Sequence, residues 1–119
     1  MTAASLKRYC LSLRGAVETH PFGPQNDVYK VGGKIFAIAG DGPLRVSLKC
    51  EPELAEQLRA SYDSVRPGYH LNKRHWNTVT IDGSVPDATL RDMIEDSYDL
   101  VVSSLSKAKQ RELGWSGER

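Results

Sequence analysis

Apolar residues recur along this chain with two periods, and the change from one to the other marks out the elements. The clearest stripe lies towards the C-terminus. Leu90, Ile94, Tyr98, Val101 and Leu105 recur on one helical face, and Met93 and Val102 widen it. Asp92, Glu95, Asp96 and Asp99 fall largely off that face. Ser84-Val85-Pro86-Asp87 precedes the stripe in the order of a capping box, with Ser84 capping forward and Asp87 reaching back. A second helix is predicted from Ser5 to Arg14, capped by Ser5, with Leu6, Tyr9, Cys10 and Leu13 on one side. Gly15 suits its C-terminal stop. Glu51 to Tyr62 has the same period, with Pro52 at a first helical position and Leu54, Ala55, Leu58 and Tyr62 inward. A short helix over Lys107 to Leu113 ends the series.

Between the helices the period shortens to two. Val28, Lys30 and Val31 belong to a short strand, and Lys34-Ile35-Phe36-Ala37-Ile38-Ala39 is its return. Gly32-Gly33 between them is a hairpin turn signal. Gly40-Asp41-Gly42-Pro43 makes a second turn. Leu44 to Lys49 alternates strictly, with Arg45, Ser47 and Lys49 on the solvated face. Arg66-Pro67-Gly68-Tyr69 is expected to be a loop, and Trp76 to Ile81 a further strand. His20-Pro21-Phe22-Gly23-Pro24 forbids regular structure, because proline lacks an N–H and restricts the residue before it. The order is helix, three strands, helix, strand, helix. It predicts an α+β fold, an antiparallel sheet of about four or more strands with helices packed on one face.

Composition narrows the function classes. The 119 residues are expected to form one domain spanning positions 1–119. Sixteen Lys and Arg against fifteen Asp and Glu leave a formal net charge of +1, which excludes a strongly basic protein that coats nucleic acid. No run reaches the roughly 18 apolar residues of a membrane span, and Lys7, Arg8 and Arg14 interrupt any secretory apolar core. A soluble, cytoplasmic protein without membrane partners is expected. Cys10 and Cys50 are too few and too far apart for a disulfide framework or a zinc pattern, and each sits on an apolar stripe. They are expected to be buried.

The neutrality is not local. No acidic residue lies between Asp63 and Asp82, and this stretch holds Arg66-Pro67-Gly68-Tyr69-His70-Leu71-Asn72-Lys73-Arg74-His75-Trp76-Asn77. Cations hold phosphates, planar aromatics stack on bases, and amides read polar edges. Lys30, Lys34, Arg45 and Lys49 on the strands can extend such a patch. The same segment also fits a bland reading, a solvated loop whose Trp76 enters the core rim. A second functional reading gathers His70, His75, Asn72, Asn77 and Tyr69 around Trp76 as a small-molecule or anion pocket. A third uses the sheet or the acidic helix as a protein-interaction surface. His70 and His75 lack the converging partners a metal needs, Cys10 and Cys50 as nucleophiles would need a neighbouring His but sit on apolar stripes, and no Walker loop or dinucleotide fingerprint is present. No metal, cofactor or catalytic residue is expected, and nothing in the sequence identifies an enzyme.

Several of these stretches resemble the MmcQ/YjbR family. They are Pro21-Phe22-Gly23, Val28 to Ala37, Leu48-Lys49-Cys50 with Pro52-Glu53-Leu54, and above all Arg66 to Val79. Ser97-Tyr98-Asp99-Leu100-Val101 is similar to the last long helix of that family. The matches run in order along nearly the whole chain. The resemblance implies a CyaY-like, frataxin-related fold and a bacterial cytoplasmic protein that binds DNA. The contact is expected to be weak and salt-sensitive, carried by Arg66, Tyr69, His70, Asn72, Lys73, Arg74, His75 and Trp76. Frataxin-like proteins bind iron through an acidic ridge on the first helix. The matching helix here carries Lys7, Arg8 and Arg14, a departure that speaks against iron.

Overall fold

A computed structural model describes residues 1–40 and 42–117. Asp41, in the predicted second turn, lies outside the described residues. The strands are β1 (Val17–Thr19), β2 (Asn26–Val31), β3 (Lys34–Gly40), β4 (Arg45–Lys49), β5 (Val65–Pro67) and β6 (Trp76–Thr80). They form one antiparallel sheet in the order β1-β2-β3-β4-β6-β5. The helices are α1 (Ala3–Ser12), α2 (Pro52–Ser61), α3 (Asp87–Ser103) and α4 (Lys107–Glu112). This is the α+β class that the alternating periods predict. Two short strands were not legible. β1 follows Gly15, which does not stop α1, because the helix already ends at Ser12 with Leu13 in extended backbone as its cap; β5 forms where a loop is expected. Pro67 is tolerated in β5 because the strand lies at the sheet edge, where a missing N–H need not break a ladder.

Strand alternation sends one set of side chains into the core. Tyr29, Val31, Ala37, Ala39, Val46, Leu48, Val65 and Val79 pack with Leu6 and Cys10 of α1 and with the apolar stripe of α3. The register between β2 and β3 shifts beside Tyr29 and Lys30, which adds a residue on β3. The extra residue lets the adjacent Phe36 and Ala37 both be fully buried. Phe36 meets the Tyr98 ring edge-on at 5.6 Å between centroids. Gly32 and Gly33 take φ values of 57° and 82°, the left-handed pair that a two-residue hairpin requires.

Both predicted helix caps are corrected. Thr2, not Ser5, caps α1. The Thr2 hydroxyl accepts from the Ser5 N–H at 3.1 Å, and the Ser5 hydroxyl accepts from the Thr2 N–H at 2.8 Å. Before α3 no capping box forms. The Ser84 hydroxyl turns back to Asp82 and Ser64, at 2.6 Å each, because the Asp82-Gly83 turn folds onto it. The Asp87 carboxylate accepts from the terminal ammonium of Met1 at 2.9 Å instead of reaching back. Pro86 stands at the cap with no side-chain bond.

One buried hydroxyl ties the layers together. The β3–β4 register pairs residues whose numbers sum to 85, from Gly40 with Arg45 to Ala37 with Leu48. The next pair would be Phe36 with Lys49. There the Lys49 N–H donates to the Ser97 Oγ at 2.9 Å, and the Ser97 hydroxyl donates to the Phe36 carbonyl at 2.6 Å. Ser97 of α3 is thus inserted where the ladder would close, and it satisfies both strand groups. Cys10 and Cys50 are free and buried, as the stripes predict. Burial pushes the Cys10 thiol from 9.0 up to about 12.

Two outcomes follow. Ser97→Ala leaves the Lys49 N–H and the Phe36 carbonyl without their partner. It should cost about 2 kcal/mol in urea unfolding, at the scale of buried unsatisfied groups. A change within the error of the extrapolation would show that water or strand closure replaces the hydroxyl. Cys10 should resist thiol reagents in the native state and react only on unfolding, because the thiolate is the nucleophile. The unfolded thiol ionises at 9.0 and the folded one at about 12. Its contribution is complete below pH 9.0 and is lost as pH rises towards 12. Cys10→Ala should therefore show a shallower alkaline loss of stability than the native chain.

Candidate nucleic-acid interface

The helices leave one face of the sheet uncovered, and strand register tells which residues share it. Directly paired residues lie on the same face. Arg45 pairs with Thr80, Ser47 with Thr78 and Lys49 with Trp76 across β4 and β6. Arg66 of β5 pairs with Thr78. Ile38 pairs with Ser47 on one side and Val28 on the other, and Lys30 with Val17. None of these belongs to the core cluster that packs on the helices. The strand positions of this face therefore carry Lys30, Arg45, Lys49 and Arg66 and no carboxylate.

A cleft of about 410 Å³ opens on the same face. Ile38, Ser47 and Thr78 form its base, and Asn26, Gly40 and Arg45 its flank on β2–β4. Tyr69, His70 and Leu71 wall one side, and Phe22 stands on the rim. Ser47 and Thr78 are buried, and their hydroxyls share a 2.8 Å hydrogen bond. The Tyr69 N–H donates to the Thr78 Oγ1 at 3.0 Å, so the base of the cleft fixes its aromatic wall. The Tyr69 and His70 rings lie 4.1 Å apart between centroids, and the Arg45 guanidinium sits 5.4 Å from the Tyr69 centroid. His70 has φ 57°, a left-handed backbone unusual for a side chain other than glycine.

The segment singled out by charge divides into two roles. Tyr69 and His70 wall the cleft. The others mostly hold the loop that carries them. The Gly68 N–H donates to the Trp76 carbonyl at 2.8 Å, folding the loop onto β6. Lys73 Nζ donates to the Gly68 carbonyl at 2.9 Å. Asn72 Oδ1 accepts from the Arg74 N–H at 3.0 Å, and the Arg59 guanidinium donates to the Lys73 carbonyl at 2.7 Å. The His75 carbonyl accepts from the Cys50 N–H at 2.7 Å. Arg66 Nε donates to the Asp63 carbonyl at 3.1 Å while its position faces the open side. Trp76 is partly buried at the start of β6, and neither it nor His75 lines the cleft. Arg74 is exposed on the loop.

Two further positions separate from the site. Lys34 donates to the Ser104 hydroxyl at 3.0 Å at the end of α3, whereas Lys30 and Lys49 remain on the open face. Asn77 alternates with Thr78 and faces α2, where its amide donates to the Ala55 carbonyl at 3.3 Å. The sequence did not single out Phe22, Asn26, Ile38, Ser47 or Thr78 for the site. Its one usable signal was the polar face of Leu44 to Lys49.

Possible metal ligands converge elsewhere. Glu18, His20 and Asp27 bring their ligand atoms within 4.8 Å of one another beside β1 and β2. The cluster satisfies itself. His20 Nε2 lies 2.9 Å from Asp27 Oδ1, Lys7 pairs with Glu18 at 3.3 Å, and the Tyr29 hydroxyl donates to Glu18 at 3.1 Å. Burial, then the bond to Glu18, pushes the Tyr29 phenol up. Among the described residues no helix is long and apolar enough to cross a membrane.

Relatives fit this architecture. The YjbR family model matches residues 11–100, and the chain belongs to that family. It is 41% identical over 107 residues to the uncharacterised protein YbdF of Escherichia coli O157:H7, over 88% of each chain. It is 39% identical over 113 residues to the uncharacterised protein YjbR of Escherichia coli strain K12, over 93% of this chain and 96% of that one. The crystal structure of Deinococcus radiodurans protein DR2400, a DUF419 domain, is similar with a TM-score of 0.92 and 40% identity. That match covers 99% of this chain and 91% of the other. A Pseudomonas syringae protein is similar with a TM-score of 0.75 and 28% identity, over 84% of this chain and 98% of that one.

Thr78 is the hinge of the cleft wall. Thr78→Val keeps the shape of the side chain but removes the partner of the Tyr69 N–H and of Ser47. The Tyr69 amide should then lose hydrogen-exchange protection, with an overall cost of about 1–3 kcal/mol. Unchanged protection at Tyr69 would mean that the Gly68–Trp76 contact alone positions the wall.

Proposed function

We propose that this protein binds nucleic acid on the helix-free face of its sheet. One observation carries the reading. Four strand cations, Lys30, Arg45, Lys49 and Arg66, share that face with a cleft walled by aromatic rings, and no strand carboxylate opposes them. Phosphates need cations, and bases need flat apolar surface with a few polar groups nearby. The phosphate contacts fall to the sheet rather than to Lys73, whose ammonium supports the loop. Tyr69 and His70 supply the aromatic part, and Arg74 extends the positive surface from the loop.

A second reading has its own observation. The cleft of about 410 Å³ lies within the roughly 300–1,000 Å³ range of small-molecule sites. A free planar ligand would use Tyr69, His70 and Arg45, with His75 and Trp76 outside it.

Salt dependence separates a phosphate-driven contact from a pocket-driven one. Four neutralised phosphates on a single strand give a slope near −2.8, or a fall of about 50-fold between 50 and 200 mM salt. Fluorescence anisotropy with a labelled DNA oligonucleotide measures it. Lys49→Ala/Arg66→Ala should lower the slope by about 1.4. Arg8→Ala/Arg91→Ala, on the helix side, should leave it unchanged. Equal effects of both pairs would remove the sheet face from the binding reaction.

A further inference from the structure

We infer that the cleft receives one unpaired base, so that the protein prefers a single strand to a duplex; this rests on the nucleic-acid reading above. Of the Phe, Tyr and Trp side chains in the described residues, only Phe22 and Tyr69 are exposed, at 58% and 59%. Both line this cleft. Large aromatic surface left in water beside a concavity marks a binding surface. Planar rings take planar partners, and every base offers a face to stack on.

The interior of the cleft suits the edge of such a ring. Ser47 and Thr78 hold two hydroxyl protons between them. One is spent on their mutual 2.8 Å bond, and Thr78 Oγ1 already accepts from the Tyr69 N–H. The second proton is left for an acceptor on a ligand. Asn26 and His70 add groups that donate or accept on the walls. Arg45 stands at the same cleft beside Tyr69, where a phosphate attached to the inserted unit would meet it. Lys49 and Arg66 continue the positive face beyond the cleft for the neighbouring phosphates.

A duplex cannot use this arrangement. Its bases stay stacked inside, and its grooves are read by a projecting helix or ribbon. The open face offers a concavity instead. A base must leave the stack to enter, which costs least when it is unpaired.

The test uses anisotropy with a labelled mixed-sequence single strand and its duplex, at 50 mM salt. The native chain should bind the single strand at least about tenfold more tightly. Tyr69→Ala should bring single-strand affinity down to the duplex level, a loss much larger than its effect on the duplex. Tyr69→Trp should keep the preference. The Tyr69 backbone N–H keeps its bond to Thr78 in every variant and the side chain is 59% exposed, so thermal unfolding should fall only by the small loss of its ring contacts with His70 and Arg45. Equal affinity for both forms would overturn this inference and leave the nucleic-acid reading standing. So would a Tyr69→Ala effect of the same size on both. No binding of either form overturns both. A mononucleotide that binds in a Tyr69-dependent way while neither strand binds also overturns both, and leaves the cleft to a free ligand.

Discussion

The hydroxyl of Ser97 stands where β3 and β4 would otherwise form their next rung. It accepts from one strand and donates to the other, so α3 is held to the sheet by two bonds from one atom. The cleft base and half of the cations of the open face lie on β4 or are paired to it. That strand has β3 on one side and β6 on the other, and it contributes Arg45, Ser47 and Lys49. A slip of one residue would send these three into the core and bring Val46 and Leu48 out. Burial of Val46 and Leu48 opposes that slip along the strand, and Ser97 opposes it at the strand end. The stability of the helix side and the composition of the open side are therefore one constraint.

The loop between β5 and β6 shows the same economy. Gly68 lies so close to β6 that an added Cβ would meet the Trp76 Cβ at 2.7 Å and its carbonyl at 3.0 Å. Lys73, Asn72 and Arg59 then bind the backbone of the tightened turn. Polar residues that could have faced a ligand are used to fold the turn. What they achieve is the placement of Tyr69 and His70 over Thr78. The tight turn also accounts for the backbone of His70, held at positive φ between two fixed ends.

Much of the fold was legible because periodicity reports burial. The α3 stripe and the strands 34–39, 44–49 and 76–81 follow from the spacing of apolar residues, and so does the class. The caps were not legible, because Ser84 and Asp87 have the right types and spacing for a box yet find nearer partners in Asp82 and Met1. β1 and β5 were hidden for a different reason. Three residues hold too little periodicity to read, and Pro67 argues against a strand until its edge position is known. The cleft was only half visible. Tyr69 and His70 stood out by local composition, but Phe22, Asn26, Ile38, Ser47 and Thr78 meet through strand pairing. The return of β6 to lie beside β4, after α2 and β5, is a long-range event that no local pattern encodes.

The formal charge of +1 is the sum of surfaces that differ. A strand alternates its faces, so a lysine and a glutamate two or three residues apart need not share any environment. On β1 and β2, Glu18 lies opposite Tyr29 on one face, while Lys30 lies opposite Val17 on the other. At roughly 0.1 M salt, screening acts over about 10 Å. Acidic groups on the far side of the sheet then do little to cancel four cations on the near side. A phosphate approaching that face responds to the nearest cations and only weakly to the total. Net charge governs solubility and long-range steering. Contact is governed by the face, and here alternation and register have made one face basic while the chain as a whole is almost neutral.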